Sequence, residues 1–500
     1  MHISLDSALG RQRRLNSVGE SVLQIAPNAA AAYSLRSLTG ADPKVVRVRR
    51  ASDNGERDFT SSEITSGEMV NWVNKQVIAP LDIQALEADG RTGDFLIAKA
   101  AYSLRSLGTR QATLAATGDT VARANGKFVV QVRRSSDDAL KSFTAAEVTD
   151  GTLLAFVNQI QTVGTAVNGT GSFDNYTVSN LSTTGFSANN SAGGTGSAGF
   201  PYVFKDDDVL VVKYTVTNFS STSSLSPALR GVNGTNSVTG VTNSGTAFTA
   251  NGTYTDTLTA TADGTHLMYA DGNTGSYTIS DFEIVSHSSN GFVKIWYDQS
   301  VTTEAGDTAT GNHAVQATAA EQPKIVNAGA LVADNGIDFD GSGDILAASS
   351  LSGMGSAISV ITASIRDSGT GASVSVGSSA SSANTYFATI EGGSVSQTNA
   401  RNTTSVAVNA SVSGTTRLTF SLTTGQTSTK TGALGGTLVE TTSDYGDDFT
   451  SGELDTVSIG KLRPSSGTTF NGRIREILIY NSDQTDNRGA IEANIGEAYS

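Results

Sequence analysis

The stretch Val209–Thr217, with the sequence VLVVKYTVT, decides the fold class of this chain. Leu210, Val212, Tyr214 and Val216 occupy every second position. Because successive side chains of a strand point to opposite faces of a sheet, these four residues share one face. β-branched and aromatic residues are also the types enriched in strands. The stretch therefore predicts a β-strand with one buried face.

The residues around this stretch repeat the same pattern at short intervals. Thr253–Leu258 and Ser276–Ile279 alternate in the same way, and the turn dipeptides Asp263-Gly264 and Asp271-Gly272 separate such runs. From about residue 165 to 288 the composition shifts to Gly, Thr, Ser and Asn. Short strands at this spacing are typical of a sandwich of two antiparallel sheets.

Further strands are expected on the C-terminal side. Phe292–Ser300 (FVKIWYDQS) predicts a strand that leads into a turn, and Gly472–Tyr480 (GRIREILIY) predicts another. The final stretch, Asp486–Tyr499, predicts a helix.

The N-terminal third contains an internal duplication. Ala31–Leu38 (AAYSLRSL) returns as Ala100–Leu107 at an offset of 69, and Val48–Asp53 returns as Val132–Asp137 at an offset of 84. One copy therefore carries 15 additional residues between its two motifs. A repeat of this length indicates two related structural units, and two copies are too few for a solenoid.

Each unit is predicted to contain a strand followed by a helix. The strands are Lys44–Arg50 and Lys127–Arg133, and the helices run from Ser61 to Val73 and from Ala145 to Gln159. Residues 83–101 predict a further helix, broken near Gly90 and Gly93.

The fold class predicted from these patterns is mainly β, with two or more antiparallel β-sandwich (jelly-roll) domains and a small α+β N-terminal repeat unit. The predicted domains are an arm (1–27), the first repeat unit (28–98), a jelly roll (99–164 plus 289–500) and a jelly roll inserted into it (165–288).

Composition excludes several classes of protein. The 500 residues carry a net charge of −14, which argues against nucleic-acid binding by the whole chain. There is no cysteine, which excludes disulfides and cysteine zinc sites. No apolar run approaches the length of a membrane span, and the N-terminus lacks the apolar core of a signal peptide. We therefore expect synthesis in a cytoplasm.

The charge is unevenly distributed along the chain. Residues 1–50 hold eight Lys or Arg against three acids, whereas residues 165–290 hold three against nine. A basic end and an acidic body suit docking between subunits. The predicted docking residues are Arg11, Arg13, Arg14, Arg47 and Arg49. The alternative is that these arginines solvate strand edges.

Several motifs carry a resemblance to known families. Ala100–Arg105, Val132–Asp137, Trp296–Ser300, His313–Gln316 and Gln322–Val326 resemble the catalytic-domain framework of the alpha-L-arabinofuranosidase B family, which implies a concanavalin-like jelly roll. Phe339–Asp344 and Arg475–Tyr480 are similar to laminin-G-like domains. Residues 165–288 resemble the jelly-roll carbohydrate-binding modules of polysaccharide-degrading enzymes.

This combination of domain resemblances, together with the N-terminal stretch Leu5–Leu15, is similar to virion proteins of tailed bacteriophages from marine hosts. This resemblance implies a non-enzymatic structural protein on the outside of a phage particle, as a tail appendage or fibre or as a head decoration. The expected partners are other virion proteins, copies of the chain in a homotrimer, and host-surface glycans. Two alternatives stay open: a glycoside hydrolase of arabinofuranosidase type, and a carbohydrate-binding adhesin.

No residue matches the segment that carries the family's nucleophile and acid, so we predict no catalytic residue. The candidate saccharide-binding residues are Trp296, Tyr297, Asp298, Tyr202 and Tyr254, since aromatic rings stack on sugars and carboxylates bind their hydroxyl groups. The alternative, which we favour for Trp296–Asp298, is a buried aromatic pair followed by an aspartate that bonds turn amides.

Metal binding is not expected, and no cofactor is predicted. The four histidines are far apart and none is paired at helical spacing. Asp206–Asp208 suits either a calcium ion or a solvated turn, and we favour the turn. Asp334–Asp344 superficially resembles a calcium loop but lacks its closing Glu, so a strand and a turn are predicted there.

Overall fold

The computed structural model describes residues 44–49, 56–65, 69, 98–105, 107, 128–169, 176–191, 196–221, 228–232, 245–271, 274–300, 311–381, 383–463 and 468–499. The chain divides into two compact units, Met1–Ala79 and Pro80–Ser500. No helix in these described ranges is long and apolar enough to cross a membrane.

The first unit contains a hairpin followed by one helical turn: β1 (Lys44–Arg49), β2 (Glu56–Thr60) and α1 (Ser61–Thr65). Lys44 lies opposite Thr60, and a bulge separates Lys44 from Val46. The Thr60 amide donates to Glu63 Oε2 (2.7 Å), and the Glu63 amide donates to Thr60 Oγ1 (3.2 Å). This reciprocal pair is a capping box, which satisfies amides that the helix start leaves unpaired.

The second unit contains the same structure. Its first described elements are β3 (Ala100–Ser103), β4 (Phe128–Arg134), β5 (Leu140–Thr144), α2 (Ala145–Thr149) and α3 (Thr152–Val157). Phe128 lies opposite Thr144, with a bulge before Val130, and Thr144 forms a capping box with Glu147. Thr60 and Thr144 are 84 positions apart, and every β1–β2 residue pair has its β4–β5 counterpart at that offset. The duplicated sequence is therefore a duplicated structure.

The next nine strands pair among themselves as two antiparallel sheets. They are β6 (Val167–Asn168), β7 (Tyr176–Ser179), β8 (Phe186–Asn190), β9 (Gly196–Phe204), β10 (Val209–Ser221), β11 (Ala228–Val232), β12 (Gly252–Thr259), β13 (Gly264–Asp271) and β14 (Gly275–Ser288). One sheet has the order β12-β10-β14-β8-β7, and the other has the order β11-β13-β9-β6. Aromatic residues from both sheets, including Phe186, Phe200, Tyr214 and Tyr269, fill the core between them. We call this part the inserted sandwich.

The remaining elements, with β3, β4 and β5, form the main sandwich. They are β15 (Gly291–Trp296), β16 (Ala314–Val315), β17 (Lys324–Asn327), β18 (Ala330–Leu331), β19 (Ile337–Asp340), β20 (Leu346–Ala348), β21 (Ala357–Ser368), β22 (Gly371–Gly377), β23 (Thr385–Glu391), β24 (Val395–Asn402), β25 (Thr404–Ser411), β26 (Thr416–Thr424), β27 (Thr429–Ala433), β28 (Val439–Thr441), β29 (Thr456–Ile459), β30 (Asn471–Tyr480) and α4 (Arg488–Ala498). Two short 3-10 helices, Ala319–Glu321 and Ala333–Asn335, lie between strands.

Strand β30 is central to the main sandwich, because it pairs with β3, β19 and β21. The repeated motif AYSLR lies at this strand. The Tyr102 ring packs on Trp296 with their centroids 5.8 Å apart. Arg105 makes a two-pronged ion pair with Glu476, at 2.6 and 2.8 Å, and both side chains are buried. The motif therefore joins the start of the main sandwich to its last strand.

The inserted sandwich leaves and re-enters the main sandwich at neighbouring points. Asn158 follows α3 and Ser289 follows β14, and the Ser289 amide donates to Asn158 Oδ1 at 3.1 Å. A buried network lies beside this junction, in which Asp208 bonds His287 Nε2 and accepts from Ser289 Oγ, each at 2.8 Å.

These elements confirm the predicted fold class: the described chain is mainly β, with antiparallel sheets arranged as sandwiches. Strands β10, β15 and β30 and helix α4 fall where the patterns predict them. The predicted helix 145–159 is divided into α2 and α3 at Gly151, whose φ of 95° is left-handed. The predicted helix 83–101 is wrong at its end, where Ala100–Ser103 is strand β3, and residues 83–97 lie outside the described residues.

Candidate functional site

A cleft of about 680 Å³ opens where loops of the inserted sandwich meet one end of the main sandwich. Its lining residues come from segments far apart in the sequence: Arg133, Ser135, Asp138, Lys205, Asp206, Asp263, Asn290, Phe292, Ala319, Ala320, Gln322, Lys324, Asp338, Asp340 and Asp344. We call it the acidic cleft, since it has six carboxyl groups and three cations. Its volume lies within the range typical of small-molecule sites.

One wall contains an aromatic ring flanked by cations. Strand β15 alternates, so that Val293 is buried in the core while Phe292 is half-buried at the cleft. The Arg133 guanidinium lies 4.7 Å from the centre of the Phe292 ring, and Lys324 Nζ lies 5.9 Å from it. These contacts are cation–π interactions, which fix the long side chains near the ring.

The acidic part of the cleft lies on the same sheet as Phe292, on β19 and the turn after it, because Lys324 of β17 pairs with Phe292 on one side and with Asp338 on the other. Ile337 and Phe339 point into the core, so Asp338 and Asp340 are on the other face of the strand. The Asp340 carboxylate accepts from the Ser342 amide (2.8 Å), from Ser342 Oγ (2.7 Å) and from the Gly343 amide (3.2 Å). Burial acts to raise the pKa of Asp340, but these hydrogen bonds outweigh it and the pKa lies below its usual value.

Asp344, at the end of the same turn, has the opposite electrostatics. It is 8% exposed, and its Oδ2 accepts from the Asp340 amide at 3.0 Å. Burial, assisted by the charges of Asp340 and Asp338, raises the pKa of Asp344 to about 7. Burial also raises the pKa of Asp338, with Asp367 contributing. Two carboxyl groups of one turn therefore have pKa values displaced in opposite directions.

The cations of the cleft are held by acids around them. Arg133 Nη1 lies 2.8 Å from Asp138 Oδ1, and Lys205 Nζ lies 2.8 Å from Asp263 Oδ2. Because carboxyl groups outnumber cations, the cleft favours neutral or cationic ligands over anionic ones.

One lining residue of the cleft, Ser135, is linked by hydrogen bonds to the buried network at the junction. Ser135 lines the cleft, and its Oγ lies 2.7 Å from Ser289 Oγ. Ser289 in turn donates to Asp208, whose other oxygen bonds His287, and His287 Nδ1 lies 2.9 Å from the Tyr202 hydroxyl. This network connects one wall of the cleft, from the main sandwich, to the core of the inserted sandwich.

The structure places the predicted saccharide residues away from the acidic cleft. Trp296, Tyr297, Asp298 and Tyr202 are buried, with at most 6% exposure. The Asp298 carboxylate accepts from three backbone amides, of which Ser300 belongs to the turn after β15 while Ala101 and Asn312 come from other parts of the chain. Tyr254 is half-buried and stacks on Tyr214 at 5.7 Å. Saccharide binding at these five residues stays a prediction, but their observed contacts are packing contacts.

Two other groups of predicted residues are also placed. Arg47 makes an exposed, two-pronged ion pair with Asp58, at 2.6 and 2.8 Å, and Arg49 is an exposed residue of β1. Arg11, Arg13 and Arg14 lie outside the described residues. Asp206 and Asp207 form a turn, as favoured, while Asp208 is buried. In the described part of the chain no group of three acidic or histidine side chains has the geometry of a metal site.

Sequence analysis missed the acidic cleft because its lining comes from six separate stretches of chain. The one available signal was the spacing of Asp338, Asp340 and Asp344, considered as a calcium loop. The structure bears out the strand and turn predicted there.

Comparison with known proteins gives structural matches alone. No protein-family model matches the sequence, and a search of curated proteins finds no match. Among solved structures, the chain is similar to the carbohydrate-binding module of the Ruminococcus gnavus IT-sialidase bound to α2,3-sialyllactose, with 17% identity over 28% of this chain and 83% of that one, at a TM-score of 0.24. It is also similar to an arabinofuranosidase complexed with arabinofuranosyl-α-1,2-xylobiose, with 14% identity over 58% of this chain and 62% of that one, at a TM-score of 0.32. A third match is the Trypanosoma rangeli sialidase with the inhibitor DANA, with 13% identity over 41% of this chain and 30% of that one, at a TM-score of 0.26.

Proposed function

We propose that this protein is a non-enzymatic carbohydrate-binding protein that holds a neutral saccharide in the acidic cleft. The observation that carries the proposal is that the Phe292 ring and the Asp338 and Asp344 carboxyl groups line one cleft, with Lys324 between Phe292 and Asp338 on the same sheet. Saccharides need both an apolar surface for their C–H faces and acceptors for their hydroxyl groups, and pockets combine the two in this way. The excess of carboxyl groups disfavours sialic acids and uronates.

A non-enzymatic role is supported by the hydrogen bonds of Asp340. Both oxygens of this carboxylate accept hydrogen bonds from its own turn. A glycosidase needs two carboxyl groups that reach across the bond to be cleaved. A carboxylate committed to its turn is poorly suited to act as nucleophile or base.

Binding is best tested with an array of neutral and acidic glycans, followed by titration calorimetry with the strongest ligand. We expect binding to neutral glycans, and we expect Phe292→Ala to weaken it about tenfold or more through the loss of ring contact. Phe219→Ala is the matched control, because Phe219 is a half-buried ring of the inserted sandwich that does not line the cleft. Equal weakening by both variants, or selective binding of acidic glycans, would overturn the proposal.

The proposed location is the outside of a tailed bacteriophage particle, as a tail appendage or head decoration in contact with other virion proteins. This location, the trimeric state and contact with a host glycan rest on the sequence resemblance. Mass spectrometry of purified particles is the test, and particles that lack this polypeptide would contradict it.

A glycoside hydrolase is the second candidate, and the raised pKa of Asp344 favours it. A carboxyl with a pKa of about 7 is suited to donate a proton at neutral pH. The test is release of nitrophenol from 4-nitrophenyl α-L-arabinofuranoside. Turnover that Asp344→Asn abolishes would replace the non-enzymatic proposal.

A further inference from the structure

The hairpin β1–β2 with α1 and the hairpin β4–β5 with α2 share more than a sequence pattern. Their register, their bulge and their capping box coincide. A cation also lies over the equivalent ring in each: Arg57 is 4.8 Å from the centre of Phe59, and Lys141 is 5.0 Å from the centre of Phe143. We call these the first copy and the second copy.

The second copy is an integral part of the main sandwich. Strand β4 pairs with β5 along one edge and with β15 along the other, where Val132 lies opposite Val293 and Val130 lies opposite Trp296. Val130 and Val132 are fully buried in consequence.

The first copy has the same residue types, but no strand in its described residues corresponds to β15. In the described residues of the first unit, β1 pairs with β2 alone. Val46 and Val48, the counterparts of Val130 and Val132, are half-buried. A two-stranded hairpin is marginally stable by itself, and a strand edge with apolar side chains is a template for pairing with another strand.

The sequence before the first copy also repeats the side chains by which β3 and the residues after it contact the rest of the main sandwich. Tyr102 packs on Trp296 and Arg105 pairs with Glu476. Tyr33 and Arg36 occupy the equivalent positions of the first motif. The sequence thus contains two such segments, whereas the chain has one FVKIW strand and one REILIY strand to receive them. Strand β4 already pairs with the first of these strands and β3 with the second.

We propose that the first copy is a docking segment for a β-sandwich of the same construction on another polypeptide, with β1 pairing to the strand equivalent to β15. Since the receiving edge in this chain is filled by β4, the vacant edge must belong to a partner whose own sandwich lacks this segment. This proposal is independent of saccharide binding in the acidic cleft.

Matched substitutions in the two copies of the full-length chain test whether they are equivalent. Val132→Asp places a charge against Val293, which weakens the second copy in its edge, and Val48→Asp makes the same change in the first copy. We expect Val48→Asp to leave the melting temperature of the sandwich unchanged in the wild-type background. In the Val132→Asp background it should lower that temperature further, because the first copy can no longer fill the vacated edge. Equal effects of Val48→Asp in both backgrounds would overturn the proposal.

Docking between chains is tested with the double variant as the acceptor. Tagged chain carrying both substitutions is co-expressed with untagged wild type or with untagged Val48→Asp, and the purified complexes are weighed by native mass spectrometry. We expect equimolar recovery of the wild type and no recovery of Val48→Asp. Recovery of both the wild type and Val48→Asp would show that β1 is not the docking strand. Recovery of neither would also contradict the proposal, because a docked wild-type chain should stabilise an acceptor that does not fold alone.

Discussion

Asp208 and His287 form a buried pair, with His287 Nε2 lying 2.8 Å from Asp208 Oδ2 and neither side chain exposed. A carboxylate can only accept, so His287 Nε2 donates this bond. Asp208 ends the turn before β10 and His287 is the second-last residue of β14, while Ser289 adds a third contact where the chain re-enters the main sandwich. The pair therefore fixes the inserted sandwich at the junction that forms the acidic cleft.

Asp208→Ala should destabilise the protein strongly, by about 3 kcal/mol, because it leaves His287 and Ser289 buried without their acceptor. Glu283→Ala is the matched control on β14, since Glu283 makes an exposed ion pair with Lys213 at 3.2 Å and should cost less than about 1 kcal/mol. Thermal unfolding followed by circular dichroism measures both. Similar shifts in the two variants would show that the buried pair is not a specific contributor.

The ion pairs Arg105–Glu476 and Arg47–Asp58 share a two-pronged geometry but differ in burial. The Arg105 and Glu476 side chains are 1% and 0% exposed, against 65% and 37% for Arg47 and Asp58. Arg105→Ala leaves a buried carboxylate unpaired and should cost about 3 to 5 kcal/mol, whereas Arg47→Ala should cost about 1 kcal/mol or less. Denaturant unfolding measures the stability of both variants. Equal unfolding midpoints would refute the expected difference between the buried and the exposed ion pair.

Asp344 should make stability fall as the pH rises. Its pKa of about 7 in the folded protein lies above the value of 3.8 expected for an unfolded aspartate. The folded state therefore holds a proton that the unfolded chain has released, and this stabilisation is complete below about pH 4 and lost as the pH approaches about 7. Asp344→Asn, which stays neutral, should melt at a temperature less dependent on pH between about pH 5 and 8. Parallel melting curves for the variant and the wild type would contradict this pKa shift.

Asp340 should behave in the opposite way. Its lowered pKa means that it stabilises the fold when ionised, and that this stabilisation is lost on acidification. Asp340→Asn should therefore lower the melting temperature at neutral pH, where Asp344→Asn raises it. The same sign for both variants at pH 8 would be inconsistent with the opposed electrostatics of this turn.

Gly460, beside the turn of Asp344, should not tolerate a side chain. Its φ is 83°, and an added Cβ would overlap the Phe339 ring and approach the Asp344 carbonyl. Gly414 has a similar φ of 77°, but a Cβ there meets no atom within 4 Å. Gly414→Ala should cost about 1 kcal/mol from backbone conformation alone, and Gly460→Ala should cost at least about 1 kcal/mol more. Equal melting temperatures would show that the Phe339 ring can move aside.

The sequence was sufficient for elements whose pattern is local. Alternation in Val209–Thr217 predicts β10 because burial on one face follows directly from a period of two. The helix expected at 83–101 failed at Ala100–Ser103, because pairing with β30 overrides the helical preference of alanine. The acidic cleft could not be predicted, since Arg133, Phe292 and Asp344 are brought together only by the long-range pairing of β4 with β15, β15 with β17 and β17 with β19. Nothing in their local sequence indicates that proximity.

The hydrogen bond between Asn158 and Ser289 has an evolutionary consequence. Because Asn158 and Ser289, on either side of the inserted sandwich, are in contact, a short turn could connect them if the whole module were removed. An exchange of this module for another would replace Lys205, Asp206 and Asp263 in the lining of the acidic cleft and would leave Phe292 and Asp344 in place.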